Sequence, residues 1–265
     1  MTATLAGRLL ISHITLRGPE LAQTYGLVAA HPEISADKLR EHLAPAAAGA
    51  SPYELAEAPL REALSFLVLA GLVEVHGRQR RYSATPRLPD TPFPLLLLHH
   101  LTTHPDRRQQ AISLVHRAIV ADDTLAITSQ SLRDQLERGP LRDLFAWTGE
   151  KVTFWVHLAA HVGLVRRLER SPELLAVPQP RLLLDTLVWA LNQLQGQSSL
   201  DGTLRLIDAQ LFACFTARGR VHRGLAQTLL ALERLGHLQL THSADAAHSL
   251  LLGERRVSDV GLAAR

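Results

Sequence analysis

One pattern occurs three times along this chain and restricts its fold more than any other feature. In each copy, apolar residues at helical spacing lead to a glycine, and a short segment of strand-forming residues follows. The copies are LSFLVLAGLVEV, VHLAAHVGLVRRL and TLLALERLGHLQL, with glycines Gly71, Gly163 and Gly236. Glycine adopts the left-handed conformation that ends a helix and turns the chain into a strand. Three copies predict a repeated unit of helix followed by β-hairpin.

Two groups of prolines divide the chain into three segments of similar length. Because proline lacks an amide donor and restrains the residue before it, such groups mark boundaries between elements. The first group comprises Pro86, Pro89, Pro92 and Pro94, and the second comprises Pro178 and Pro180. We therefore predict three modules, at residues 1–86, 87–178 and 179–265, which are called the first, middle and last thirds.

Most of each third is predicted to be helical. In the first third we expect helices near residues 19–31 and 36–43 and a longer helix that ends at Ala70. The middle third has an extra apolar helical segment, PLLLLHHLTT. With 46% hydrophobic residues over 265 positions, the chain can bury a full core. The predicted fold class is mainly α with short β-hairpins.

Three helices, a glycine and a two-stranded hairpin follow one another in each third, and this order resembles the winged helix-turn-helix superfamily. The resemblance covers nearly all of the chain and lies in the order of elements rather than in a sequence motif. One departure is the link APAAAGASPYELAEA, which is longer than the tight turn of the simplest members. The predicted architecture is three tandem winged-helix-like modules. The alternative is a single, mostly helical domain with incidental hairpins.

The resemblance implies a role for the hairpin of the first third. In winged-helix proteins that bind DNA, the last helix commonly enters the major groove and the hairpin lies along the backbone or in the minor groove. This hairpin carries Arg78, Arg80 and Arg81, which are placed to contact phosphate. Glu54 and Glu57 precede the last helix of the same third, and their charge would repel a DNA backbone.

The other two thirds carry basic residues near their last helices. At the expected start of the helix in the last third, these residues are Arg218, Arg220, His222 and Arg223, with Gln227 one turn on. Arginine pairs bidentately with guanine and glutamine with adenine, so this helix is predicted to carry any sequence preference. In the middle third the predicted contacts are Lys151, Arg166 and Arg167. For each cluster the alternative is a solvated face balanced by nearby acids.

Composition narrows the class of protein. The 28 basic and 25 acidic residues give a net charge of +3, so any polyanion partner must be bound by local clusters. Only Lys38 and Lys151 are lysines; the excess of arginine fits phosphate binding and, equally, a genome rich in G and C. The single cysteine, Cys214, excludes a disulfide framework and fits a reducing cytoplasm. No segment approaches 18 uninterrupted apolar residues, so no membrane span is predicted.

Two histidine pairs have the i, i+4 spacing by which two imidazoles can share a metal. They are His157 with His161, in HLAAH, and His100 with His104, in HHLTTH. A zinc protease of the His-Glu-x-x-His type needs a glutamate after the first histidine, and Leu158 occupies that position. Both pairs lie in apolar helices, where hydrogen-bonded histidines at the edge of a core are common. We predict no metal site and no cofactor; the alternative is that one of the two histidine pairs binds a metal ion.

These features favour a protein without enzymatic activity. No glycine-rich phosphate loop and no G-x-S-x-G elbow is present in the sequence. The first hypothesis is a protein that binds double-stranded DNA, as a regulator or DNA-maintenance factor, through the first hairpin and the last helix of the last third. The second is a protein-interaction scaffold, a subunit of a larger assembly. A metal-dependent enzyme is a distant third.

Overall fold

The structure is a computed structural model that describes residues 8–43, 52–85, 91–195, 198–246 and 248–263. Within these ranges the chain forms ten α-helices and ten short strands, and every strand pair is antiparallel. The predicted class, mainly α with short hairpins, is confirmed. Pro86 and Pro89 of the first proline group, and residues 44–51 of the long link, lie outside the described residues.

In the first third, the last strand of the sheet lies between the other two. The elements are a 3-10 turn (Leu10–Ser12), α1 (Pro19–Ala30), β1 (Ile34–Ser35), α2 (Ala36–Leu43), α3 (Pro52–Leu69), β2 (Val73–His76) and β3 (Arg81–Ala84). The strand β3 pairs with β2 on one side and with β1 on the other. The three predicted helices are confirmed. Each helix end for which the sequence analysis gave a residue differs by at most one residue from the end in the structure.

The middle third repeats this arrangement after one additional helix. Its elements are α4 (Phe93–Thr103), α5 (Ala111–Ala121), β4 (Ala126–Thr128), α6 (Ser129–Arg138), α7 (Gly149–Val162), β5 (Arg166–Arg167) and β6 (Glu173–Leu175). The strand order is β4-β6-β5, so the last strand is again central. Thr128 and Thr148 cap α6 and α7, because each hydroxyl oxygen accepts a hydrogen bond from an amide of the first turn.

The last third has the same order with an inserted hairpin. Its elements are α8 (Pro180–Gln193), α9 (Leu200–Gln210), α10 (Arg223–Arg234), β7 (Leu238–Thr241), β8 (Leu250–Leu252), β9 (Arg255–Val257) and β10 (Asp259–Leu262). The strand β10 pairs with β7, and its Asp259 also forms a bridge with Ser199, just before α9. The hairpin β8–β9 is inserted between the two main strands.

The glycine after the third helix of each repeat has the backbone conformation that the sequence predicts. The φ angles of Gly71, Gly163 and Gly236 are 73°, 90° and 73°, all in the left-handed region. The amide of the residue after each glycine donates to the carbonyl five residues earlier: Leu72 to Leu67, Leu164 to Ala159 and His237 to Leu232. This bond is the longer one of the Schellman motif, which ends a helix and reverses the chain.

The apolar core is continuous between the thirds. Its buried residues come from all three segments and form one cluster. Phe66 of α3 and Phe154 of α7 are both fully buried, with ring centroids 6.2 Å apart. Trp155 is also fully buried, and its Nε1 donates to Ile112 O at 2.9 Å. The thirds therefore share packing, and whether each one folds as a separate module stays a prediction.

A buried histidine in this core makes stability depend on pH. His116 of α5 is 4% exposed and packs edge-on against Phe212. Burial, followed by the charges of His222 and Arg117, lowers the pKa of His116 from 6.5 to about 3. The unfolded state therefore binds more protons below about pH 6.5, and the free energy of unfolding decreases as the pH falls from there toward 3.

We expect His116→Leu to weaken this dependence, because leucine fills a similar volume and does not titrate. The measurement is urea unfolding of both proteins at pH 7 and pH 5. The variant should lose less stability between the two pH values than the parent. A residual dependence is expected from His13, which is fully buried and whose pKa burial lowers to about 4. Equal losses in parent and variant would contradict the assignment to His116.

Candidate nucleic-acid interface

The β2–β3 hairpin presents three arginines to solvent, two in its turn and one at the start of β3. Gly77 and Arg80 have left-handed φ angles of 66° and 50°, and they form the tight turn between the strands. Arg78, Arg80 and Arg81 are exposed, and none forms an ion pair with a carboxylate of the described residues. We call these three residues the basic turn. Because no described carboxylate pairs with these three guanidinium groups, each can donate to a phosphate oxygen.

One glutamate in the first half of α3 shares an arginine with a second acid. The Glu57 carboxylate lies 3.6 Å from a guanidinium nitrogen of Arg40, which also donates to Asp37 at 2.7 Å. The side chain of Glu54, the other acid named from the sequence, lies outside the described residues. Because Arg40 is shared between Glu57 and Asp37, it offsets only part of the repulsion that Glu57 would exert on a DNA backbone.

The start of α10 packs against the middle third. His222 is 2% exposed and caps the helix, because its Nδ1 accepts from the Gly224 amide at 3.2 Å. Its Nε2 lies 3.1 Å from Thr124 O and therefore donates to it, in the neutral tautomer. Burial lowers the pKa of His222, which favours that neutral form. A base contact by His222 would require α10 to separate from the middle third.

Asp123 of the middle third binds the arginine that follows. Its carboxylate lies 3.0 Å from Arg223 Nε and accepts from the Arg223 amide at 3.1 Å, while its carbonyl accepts from Arg223 NH2 at 2.8 Å. A carboxylate at this position also interacts favourably with the positive end of the helix dipole. Arg223 is therefore exposed but already paired.

Other contacts along α10 close the same interface. Gly224 is buried against Ala176, and Thr228 donates to Pro178 O at 3.1 Å. Of the residues predicted to contact DNA here, three are exposed without a side-chain hydrogen bond or ion pair in the described part of the chain: Arg218, Arg220 and Gln227. The predicted cluster is thus divided: His222 and Arg223 contact the middle third, whereas Arg218 and Arg220, in the loop before α10, and Gln227, on α10 itself, face solvent.

The predicted contacts of the middle third are also divided. Lys151 Nζ donates to Ala146 O at 2.6 Å and lies 4.7 Å from the Phe145 ring centroid. Arg166 is half-buried, and its guanidinium donates to Pro178 O at 3.3 Å. Both cations therefore have partners within the chain. Arg167 is exposed, and no ion pair of its side chain occurs among the described residues.

One basic residue near Arg167 could not be identified from the sequence as part of a basic cluster. Arg17, in the loop before α1, lies close enough to α7 that its charge and that of Arg167 both lower the pKa of His157, after the larger effect of burial. Arg17 and Arg167 are exposed. They come from different thirds, so only the tertiary packing brings them to one side of α7.

The histidine pairs have structural partners. His104 Nε2 lies 3.2 Å from Leu69 O, and His100 hydrogen-bonds the backbone of Ala70, so this pair contacts the end of α3. His161 lies against Gly18, and burial lowers its pKa. Within the described ranges, no three His, Cys, Asp or Glu side chains are grouped as metal ligands would be.

Comparisons with known proteins identify no relative. No protein-family model, curated protein or solved structure matches the chain. In the part of the chain that the structure describes, no helix has both the length and the hydrophobicity to cross a membrane. The function must therefore be inferred from the surfaces described above.

Proposed function

We propose that this protein binds double-stranded DNA without catalysing a reaction, as a regulator or DNA-maintenance factor. The observation that carries the proposal is the basic turn, in which Arg78, Arg80 and Arg81 are exposed and lack carboxylate partners among the described residues. Backbone contacts of this kind supply affinity for any duplex, because phosphates are the same in every sequence.

The repeated topology supports the same proposal. In the first and middle thirds a helix, a short strand, two helices and two strands follow in order, and the last strand lies centrally in its sheet. The last third follows the same order with the hairpin β8–β9 inserted; its last strand, β10, pairs with β7 and forms a single bridge with Ser199. This order resembles winged-helix modules, and we propose three of them in tandem. On that architecture the basic turn is the tip of a wing, which commonly lies along a DNA backbone.

A second candidate function is a scaffold for protein assembly. It is favoured by the packing of α7 and α10, the helices of the middle and last thirds that would enter a DNA groove in the winged-helix interpretation. The start of α10 is bound by Asp123, and α7 is buried along most of its length, with Phe154 and Trp155 fully inaccessible. Parts of these two third helices are therefore engaged in contacts within the protein, as α3 is at Phe66.

Titration of the parent protein with a labelled duplex at several salt concentrations tests the first function. Each phosphate contact contributes a slope of about 0.9 to the plot of log affinity against log salt, so three contacts from the basic turn predict about 2.7. Affinity should then fall about 40-fold between 50 and 200 mM salt. No binding, or binding that salt does not weaken, would contradict the proposal and favour the scaffold.

A further inference from the structure

A polar hollow of about 470 Å³ lies beside the first sheet, between the end of α1, the strand β1 and the helix α2. It is distinct from the basic turn but shares one residue with it, Arg81. Its lining residues are Ala30, His31, Pro32, Glu33, Ile34, Ser35, Lys38, His42 and Arg81. The volume is large enough for a phosphate group with part of the molecule that carries it.

The lining carries more positive than negative charge. Lys38 and Arg81 contribute two permanent cations, and no ion pair of either is found among the described residues. His31 and His42 contribute two imidazoles, stacked with ring centroids 4.9 Å apart and an interplanar angle of 12°. Glu33 is the one carboxylate among the described residues that line the hollow. The acid at the start of α2, Asp37, is instead paired with Arg40.

Backbone contacts hold together the segments that carry these groups. In the sheet, Arg81 is directly opposite Ser35, which places the arginine beside the start of α2. The Ser35 hydroxyl accepts from the Lys38 amide at 3.3 Å. Glu33 has a left-handed φ angle of 59°, and its amide donates to Ser83 Oγ at 3.1 Å, so the turn between α1 and β1 is held to β3.

We propose that this hollow binds a phosphate group. An ammonium, a guanidinium and two imidazoles together offer donors from several directions, and hydrogen bonds from charged donors to phosphate oxygens are stronger than neutral ones. The phosphate belongs either to a DNA backbone that continues from the basic turn or to a free phosphate ester. The site is independent of the proposed function, since its binding of phosphate does not require that DNA be the partner.

The two lysines of the chain allow a direct test by chemical footprinting. Lys38 lines the hollow, whereas Lys151 lies on α7 with its ammonium bound to Ala146 O. We expect inorganic phosphate to slow reductive methylation of Lys38, measured by mass spectrometry, and to leave Lys151 unchanged. At a phosphate concentration of twice Kd the Lys38 rate should fall about threefold, because protection follows 1 + [L]/Kd. Chloride at equal ionic strength is the reference.

Variants make the result specific to the hollow. His42→Gln and Arg81→Gln should each weaken the phosphate protection of Lys38, whereas Arg138→Gln, an exposed arginine at the end of α6, should leave it intact. Equal protection by chloride, or no effect of His42→Gln and Arg81→Gln, would overturn the site. Absence of Lys38 protection by phosphate would also overturn it, even if a duplex protects Lys38, because DNA lying on the hairpin would cover that lysine without a phosphate pocket.

A duplex arm identifies the source of the phosphate. In one outcome, both phosphate and a duplex protect Lys38, and the double variant Arg78→Glu, Arg80→Glu loses only the protection by the duplex. This outcome supports the site and assigns its phosphate to the DNA backbone. Protection by phosphate alone supports the site and assigns it to a free phosphate ester. In the second case the phosphate site stands although the proposed DNA function fails, so the two failures are distinguishable.

Discussion

Replacing Gly224 with alanine is expected to destabilise the protein strongly. A Cβ atom at this position would overlap the carbonyl oxygen of Ala176 and lie 3.0 Å from its carbonyl carbon. Because the obstacle is backbone, α10 and the middle third would have to move apart. Overpacking of this kind costs about 1 to 3 kcal/mol, which corresponds to a decrease in Tm of about 2 to 5 °C for a chain of this size. Thermal unfolding followed by circular dichroism measures the effect.

Gly26→Ala is the matched control, since it makes the same chemical change within a helix. Gly26 lies inside α1, and apart from its chain neighbours and the backbone of its own helix turns, no atom of the described residues is within 4 Å of the position its Cβ would take. Alanine is favoured over glycine in a helix by roughly 0.5 to 1 kcal/mol, so this variant should raise Tm slightly. If Gly224→Ala raised Tm as Gly26→Ala does, the contact between α10 and Ala176 would be refuted.

Features that depend on local sequence could be predicted. The glycines at positions 71, 163 and 236 end their helices in the left-handed conformation, and the chain turns into a strand after each. Helical periodicity and the unique backbone freedom of glycine both act over a few residues, so they leave a readable pattern. The mainly α class and the exposure of the basic turn were predictable for the same reason.

The partners of the basic residues could not be predicted. Arg223 and Arg78 are alike in the sequence, yet Arg223 is paired with Asp123 from another third and Arg78 is not paired with any described carboxylate. His222 is likewise buried by contact with Thr124, far from it in the chain. Whether a charged side chain is solvated or paired is decided by tertiary packing, and sequence periodicity carries no information about contacts between distant segments. The convergence of Arg17 and Arg167 on His157 was missed for this reason.

Reversing two charges of the basic turn is expected to have the largest effect on DNA binding. Arg78→Glu with Arg80→Glu removes two proposed phosphate contacts and leaves Arg81, which also lines the phosphate hollow. The slope of log affinity against log salt should decrease by about 1.8, and affinity at 50 mM salt should fall roughly 200-fold if counterion release is the whole contribution of each contact. Specific and random duplexes should lose affinity equally, since backbone contacts carry no base information. Fluorescence anisotropy with labelled duplexes measures both quantities.

The control for this experiment must distinguish the loss of phosphate contacts at the basic turn from the effect of a lower net charge of the whole protein. Arg138→Glu with Arg142→Glu alters the net charge by the same amount at exposed positions at and just beyond the end of α6. This variant should retain most of the affinity, because neither arginine belongs to a surface proposed to contact DNA, and salt at 0.1 M screens exposed charges over about 10 Å. Equal losses in the two double variants would mean that DNA responds to net charge alone. An unchanged affinity in Arg78→Glu with Arg80→Glu would mean that the hairpin serves only to close the first sheet. The third helices of the other two thirds already pack within the protein. The scaffold function would then replace DNA binding as the proposed function.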